Sequence, residues 1–83
     1  MKQIYIDNIK QYALVDDEDY SMLMAMNKWH GNIRNNILQT LMTGVNYKAI
    51  VMARVVMKTP KHLQCDHIDH NVLNNQKYNL RNV

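Results

Sequence analysis

The chain has 83 residues, enough for one small domain with a modest hydrophobic core. It contains seven Met, one Trp and no Phe, so the core is predicted to consist of Ile, Leu, Val, Met and Tyr around a single Trp. One cysteine excludes an intramolecular disulfide, and no apolar run reaches the roughly 18 residues of a membrane span. With no secretory signal pattern, the chain is predicted to be soluble and cytoplasmic.

Charge is distributed unevenly along the chain. Residues 1–27 hold two Lys against four Asp and one Glu, a net of −3, whereas residues 28–83 hold eight Lys or Arg against two Asp, a net of +6. A basic region favours binding to a polyanion such as a nucleic acid, because Lys and Arg that neutralise phosphates release counterions. Charge alone does not separate this interpretation from an ordinary solvated surface.

The N-terminal segments predict a β-hairpin followed by a helix. Polar and apolar residues alternate over 2–6, and 12–15 is a second short apolar run. Four consecutive carboxylates follow, and carboxylates favour helix starts because they cap orphan amides and complement the dipole. Asp16 or Asp17 is the predicted N-cap of a helix that ends near Met26. The same carboxylates also allow a metal site, but helix-start chemistry explains them more simply.

Within this helix, Tyr20, Leu23 and Met24 are predicted to face inward. Methionines also stand at Met22 and Met26, and alternate spacing cannot bury all three methionines on one helical face. At least one of them is therefore expected to be exposed or to meet a partner.

Two further strands are predicted in the middle of the chain. Residues 28–30 begin one strand, 31–32 is a turn candidate, and 37–42 is the partner strand, ending at the break Thr43-Gly44. The expected N-terminal unit is a three-stranded antiparallel sheet with one helix across it. Trp29 is predicted to anchor the sheet to the helix. Residues 49–58 fit either a short helix or a buried strand, ended by Thr59-Pro60.

Candidate ligands and bases are concentrated in residues 65–81. A strand from Leu63 to about Ile68 would place Asp66 and His67 on opposite faces, so that one holds a cation while the other takes a proton. A structural alternative is that the Asp and Asn side chains only tie down a hairpin through backbone hydrogen bonds. A zinc alternative uses Cys65, His67 and His70, but has no evident fourth ligand.

The run Asp66-His67-Ile68-Asp69-x-Asn71-x-x-Asn74-Asn75-x-x-x-Asn79-Leu80-Arg81 resembles the core of the HNH, or His-Me finger, endonucleases in their phage and intron-homing branch. Both the residue types and the spacing between the Asp-His pair and the Asn-Leu-Arg triplet are kept. Upstream, similar segments occur in the order found in such phage proteins: Tyr12–Tyr20, Lys28-Trp29 and Met52–Met57. The resemblance favours a helix over 49–58 and implies an N-terminal sheet similar to a DNA-binding module.

The resemblance also implies phosphodiester hydrolysis with one Mg²⁺ or Mn²⁺ ion. It implies that His67 is the general base, that Asp66 is a metal ligand, and that Asn79 holds the loop and orients the histidine. Asn74 and Asn75 resemble loop residues whose side chains bond to nearby backbone. The cations nominated for phosphate contact are Arg54, Lys77 and Arg81.

Three departures from the family pattern point to impaired catalysis. Ala53 stands where relatives place His before the Arg, and His70 replaces the glycine common after Ile-Asp. The sequence also stops at Val83, before the helix that supplies the remaining metal ligand in the family. It is therefore expected to contain an incomplete ββα HNH hairpin.

Taken together, these patterns predict a single α+β domain over 1–83. Residues 1–46 form the small sheet and helix unit, and residues 47–83 form a second short helix and the incomplete hairpin. The expected function is that of an HNH-derived phage-type protein in the host cytoplasm, impaired in catalysis, which binds DNA or a host or defence protein and no membrane. Homo-oligomers would use the surface left open by the missing helix. The alternative is an active metal-dependent HNH endonuclease or nickase that uses His67.

Overall fold

The predicted N-terminal hairpin is confirmed and belongs to a larger sheet. In the computed structural model, which describes residues 1–83, β1 (Lys2–Ile6) and β2 (Gln11–Val15) pair antiparallel. Alternate residues of the two strands are buried and form one wall of the core: Ile4, Ile6, Ala13 and Val15. A short strand β7 (Asn74–Asn75) pairs parallel with β2, so the sheet order is β1-β2-β7. This pairing attaches residues 65–81, hereafter the C-terminal motif, to the N-terminal hairpin.

The first helix lies where the carboxylates predicted it. Helix α1 spans Asp17–Ala25 with Asp16 at its N-cap, but the Asp16 side chain forms no capping hydrogen bond. Its Oδ2 instead accepts the backbone N–H of Lys77 at 3.0 Å. The position of the cap is confirmed, while its side chain serves a tertiary contact.

The buried face of α1 differs in part from the predicted one. Leu23 is fully buried and Tyr20 is half-buried, as predicted. Met24 is 51% exposed, so its inward assignment is wrong. Met22 is also exposed, which confirms that the methionines do not share one buried face. Asp19 is buried instead, because a lysine from the C-terminal motif reaches it.

A second sheet has the order β3-β4-β5, with β3 (His30–Arg34), β4 (Ile37–Val45) and β5 (Lys48–Val51) all antiparallel, so the prediction of one three-stranded N-terminal sheet is wrong. The predicted turn at 31–32 is wrong, because both residues lie inside β3. Gly31 is needed there for space: a Cβ would lie 2.8 Å from side-chain atoms of Ile9 and Leu38.

The turns of this sheet fall at asparagines. Asn35 and Asn36, with φ of 54° and 62°, connect β3 to β4. Asparagine tolerates this left-handed region because its short polar side chain can bond to nearby backbone. The predicted break at Thr43-Gly44 is also wrong: β4 continues to Val45 and turns at 46–47.

Residues 49–58 are divided between a strand and a helix. Ile50 and Val51 pair with β4, as their β-branched side chains favour, and helix α2 occupies only Met52–Met57. Lys58 ends the helix in the left-handed conformation, with φ 49°. The helix prediction is therefore confirmed for its second half and wrong for its first.

The C-terminal motif residues lie on a two-stranded antiparallel ladder. Strands β6 (Cys65–His67) and β8 (Leu80–Asn82) form it, and a 3₁₀ turn at Lys77–Asn79 leads into β8. Trp29 is 4% exposed and donates its indole N–H to Leu23 O at 2.9 Å, which confirms the predicted anchor. The fold is α+β, and neither helix has the length and hydropathy needed to cross a membrane.

Candidate functional site

Asp66 and His67 are consecutive in β6, so their side chains leave opposite faces of the ladder. Asp66 lies opposite Arg81 in the register. Arg81 donates from Nη2 at 2.9 Å and from Nε at 3.1 Å, both to Oδ2 of Asp66. The nominated metal ligand is therefore neutralised by a guanidinium, and only Oδ1 has no hydrogen bond from the protein.

The imidazole of His67 is held by a residue of the loop. Its Nε2 lies 2.8 Å from Oδ1 of Asn75. Asn75 is 1% exposed because β7, where it sits, pairs with β2 in the first sheet. From the sequence, Asn75 was expected to bond only to nearby loop backbone, and its hydrogen bond to His67 was not predicted. Only the place of Asn75 in the motif could have indicated this contact, because its burial results from pairing with Val15, about sixty residues away in the chain.

Asn79 fastens the loop between β6 and β8. Its Nδ2 donates to Asp69 Oδ1 at 2.8 Å and to Asn74 O at 3.0 Å, and its Oδ1 accepts the Asp69 N–H at 3.2 Å. The backbone N–H of Asn71, followed by Asn79, holds the pKa of Asp69 below its ordinary value. Asn79 thus holds the loop, whereas the direct contact to the imidazole of His67 comes from Asn75.

His70 adopts a left-handed conformation with φ 64°. This is the region that glycine enters freely, and it costs most other residues about 1–2 kcal/mol. The backbone at His70 therefore takes a conformation typical of glycine, the residue that HNH endonucleases commonly have after Ile-Asp. The loop closes with a turn in which the His70 N–H donates to His67 O at 3.0 Å.

Two of the three nominated phosphate contacts are tied to nearby groups. Arg54 donates to Leu63 O at 2.9 Å and to Pro60 O at 3.0 Å, so it fastens the loop that follows α2. Arg81 is engaged by Asp66. A phosphate would have to compete with these partners.

The third, Lys77, joins the motif to α1. Its Nζ contacts Asp19 Oδ2 at 2.7 Å and Glu18 Oε1 at 2.8 Å. Hydrogen bonds to Asp19 and then Glu18 raise the pKa of Lys77. Asp16, Glu18 and Asp19 form the only group of three His, Cys, Asp or Glu ligand atoms within 4.8 Å of one another. The ammonium of Lys77 already occupies two of these carboxylates and offsets one of the three negative charges.

The motif residues do not fit a complete divalent-cation site. No group of three acidic, imidazole or thiol ligands includes Asp66, and Cys65, His67 and His70 do not converge either, so the geometry also gives the zinc alternative no support. Cys65 is half-buried, its Sγ lies 3.6 Å from Ala53 O, and burial raises the pKa of its thiol.

No protein-family model matches the chain, and no curated protein or solved structure matches it at a significant level.

Proposed function

We propose that this chain is an HNH-endonuclease-derived protein that binds DNA and is impaired in cleaving it. The observation that carries the proposal is the ion pair between Asp66 and Arg81. A divalent cation at Asp66 would meet a guanidinium 2.9 Å from the same carboxylate, and Asp66 belongs to no group of three acidic, imidazole or thiol ligands that could offset that repulsion. Binding of Mg²⁺ or Mn²⁺ is therefore expected to be weak.

The charge distribution supports DNA as the partner. Residues 20–65 contain no Asp or Glu and six Lys or Arg. This segment includes all of the β3-β4-β5 sheet and α2. Cations in a segment without carboxylates attract phosphates, and of the six only Lys28 is paired with a carboxylate from elsewhere in the chain, that of Asp7.

One face of the β3–β4 hairpin is open at its turn end and half-buried towards β5. Residues opposite each other in an antiparallel pair share a face, so His30 lies beside Met42 and Asn32 beside Thr40, and none of the four is buried. Arg34, two residues further along β3, is exposed. The opposite face of these two strands packs against the core and carries their three buried residues: Gly31, Leu41 and Thr43.

Arg34 is the best-placed cation on this open face. Its side chain forms no hydrogen bond or ion pair within the protein, unlike those of Arg54, Lys77 and Arg81. Strand β5 pairs only with residues 42–45 of β4, so the β3–β4 hairpin is two-stranded between Met42 and its turn, and the major groove of about 12 Å width admits a two-stranded ribbon. The open face of β3–β4, with Arg34, is therefore the proposed DNA-contacting surface.

DNA binding is tested by fluorescence anisotropy on duplex DNA over a series of salt concentrations. We expect affinity to fall steeply with salt, and Arg34→Gln to reduce the negative salt slope by about one, with a loss of affinity of roughly 5- to 10-fold. Lys10→Gln is the matched control, because it removes one charge from the β1–β2 turn on another sheet. Equal losses in both variants would refute this surface. Absence of DNA binding would refute the function and leave a host or defence protein as the partner.

Metal-dependent DNA cleavage is the second candidate function. The observation that favours it is the β6–β8 ladder, which presents His67 beside a loop fastened by Asn79, as the HNH resemblance implies. In this candidate, His67 would take a proton from the attacking water.

Calorimetry with Mn²⁺ and a plasmid-nicking assay separate the two candidates. The proposal expects no saturable metal binding and no nicking by the wild-type chain. Nicking that disappears in His67→Ala and persists in His62→Ala, together with saturable Mn²⁺ binding, would establish the second candidate instead. Nicking that survives in His67→Ala would come from another source.

A further inference from the structure

We propose that Asn75 is a positioning residue that fixes the His67 imidazole as its Nε2–H tautomer and leaves Nδ1 free as a proton acceptor. The contact is the 2.8 Å hydrogen bond between His67 Nε2 and Asn75 Oδ1. Its catalytic consequence rests on the second candidate function, but the tautomer itself does not.

The orientation of the Asn75 amide decides which atom carries the proton. Asn75 Nδ2 donates to Val72 O at 3.2 Å and points to Met52 Sδ at 3.4 Å. Both partners are acceptors only, so a flipped amide would set its oxygen against a carbonyl oxygen and a thioether. Oδ1 must therefore face His67, and a carbonyl oxygen can only accept a hydrogen bond. The proton of the neutral imidazole lies on Nε2.

The amide has little freedom to reorient. Asn75 is 1% exposed, and its backbone is held in the parallel β2–β7 pair, opposite Val15. No buried polar side-chain atom in the protein lacks a partner, so rotation of this amide would create unsatisfied groups in the core. A buried acceptor at a fixed position holds the ring more firmly than water would.

The remaining ring nitrogen is available to a ligand. Nδ1 of His67 forms no hydrogen bond in the protein, and the residue is half-buried rather than enclosed. Asp69 lies close enough to interact electrostatically with His67, and its Oδ1 accepts hydrogen bonds from the Asn71 N–H and from Asn79 Nδ2. Nδ1 is therefore a fixed lone pair, the property that a proton acceptor needs.

Long-range ¹H–¹⁵N correlation spectra of the whole chain test this inference. The wild-type spectrum should show His67 in a single Nε2–H tautomer with a visible, slowly exchanging Hε2 proton. His30, His62 and His70 have no ring hydrogen bond and serve as internal references with tautomer mixtures and no such proton. A wild-type His67 with its proton on Nδ1, or with the same mixture as the references, would overturn the proposal without any variant.

Variants extend the test to Asn75 itself. Asn75→Ala should lose the Hε2 resonance and the single tautomer. Asn74→Ala, a neighbouring buried asparagine of the same size that does not contact His67, should retain both. Where cleavage is detected, Asn75→Ala should lower kcat by about 10- to 100-fold with little change in KM. An unchanged tautomer in Asn75→Ala would refute the positioning role, whereas a fixed tautomer without cleavage would contradict only the second candidate function.

Discussion

Asn79→Ala should lower the free energy of unfolding by about 3 kcal/mol, at roughly 1 kcal/mol for each hydrogen bond lost. Asn79 is 3% exposed and satisfies the Asp69 N–H, the Asp69 carboxylate and the Asn74 carbonyl. Alanine at this position would remove the side-chain partner of the Asp69 N–H and of the Asn74 carbonyl, and would leave the Asp69 carboxylate with only the Asn71 N–H. Urea unfolding followed by the fluorescence of Trp29, which is the only Trp and is buried, measures the change.

Asn71→Ala is the matched control for this experiment. Asn71 is exposed, and its side chain makes one local hydrogen bond, from the Leu73 N–H to Oδ1 at 3.1 Å. Its removal should cost less than about 1 kcal/mol. If the two variants were destabilised equally, Asn79 would not be the residue that holds the loop.

Lys77→Ala should destabilise the fold by about 2 kcal/mol, less than the 3–5 kcal/mol of a fully buried pair because the lysine is partly solvated. The Lys77 side chain is 41% exposed, but that of its partner Asp19 is only 11% exposed. Without the ammonium, three carboxylates within 4.8 Å would repel one another next to the core. Thermal or urea unfolding at neutral pH measures the loss, and Lys61→Ala, an exposed lysine without an ion pair, is the control. A loss no greater than that of the control would contradict this role.

The contribution of Lys77 should also depend on pH. Because its pKa is raised in the folded state by Asp19 and Glu18, its stabilisation is fully present below the unfolded lysine pKa of about 10.4 and is lost as pH rises through the folded value. The difference in unfolding free energy between wild type and Lys77→Ala should therefore shrink in strongly alkaline solution. A difference that stays constant there would show that the loss comes from packing alone.

Sequence patterns located most elements because the signals are local. Alternation predicted β1 and β2, and the carboxylates predicted the start of α1. The errors fall where two local signals compete. Residues 49–58 have both helical and strand propensity, and pairing with β4 gave the first part to a strand. The turn was placed at a glycine that is instead needed for close packing.

The candidate site shows the same division. Spacing within residues 65–81 was sufficient to nominate Asp66, His67 and Asn79, because a motif is a local pattern. The partners of these and neighbouring side chains were not predictable. Arg81 reaches Asp66 through strand register, and Asn75 reaches His67 because β7 joins β2.

Local sequence thus accounts for the α+β class, the position of α1 and the residues available for chemistry, since each depends on neighbours a few positions apart. The state of those residues depends on contacts made across the fold. Asp66 forms its ion pair with Arg81, and the imidazole of His67 forms its hydrogen bond with Asn75, only when distant segments pair. The same holds for the ion pair between Lys77 and α1. Hydrogen bonds, including those within the ion pairs described here, form at donor–acceptor distances of about 3 Å, so which groups they join is decided by tertiary packing and not by order along the chain.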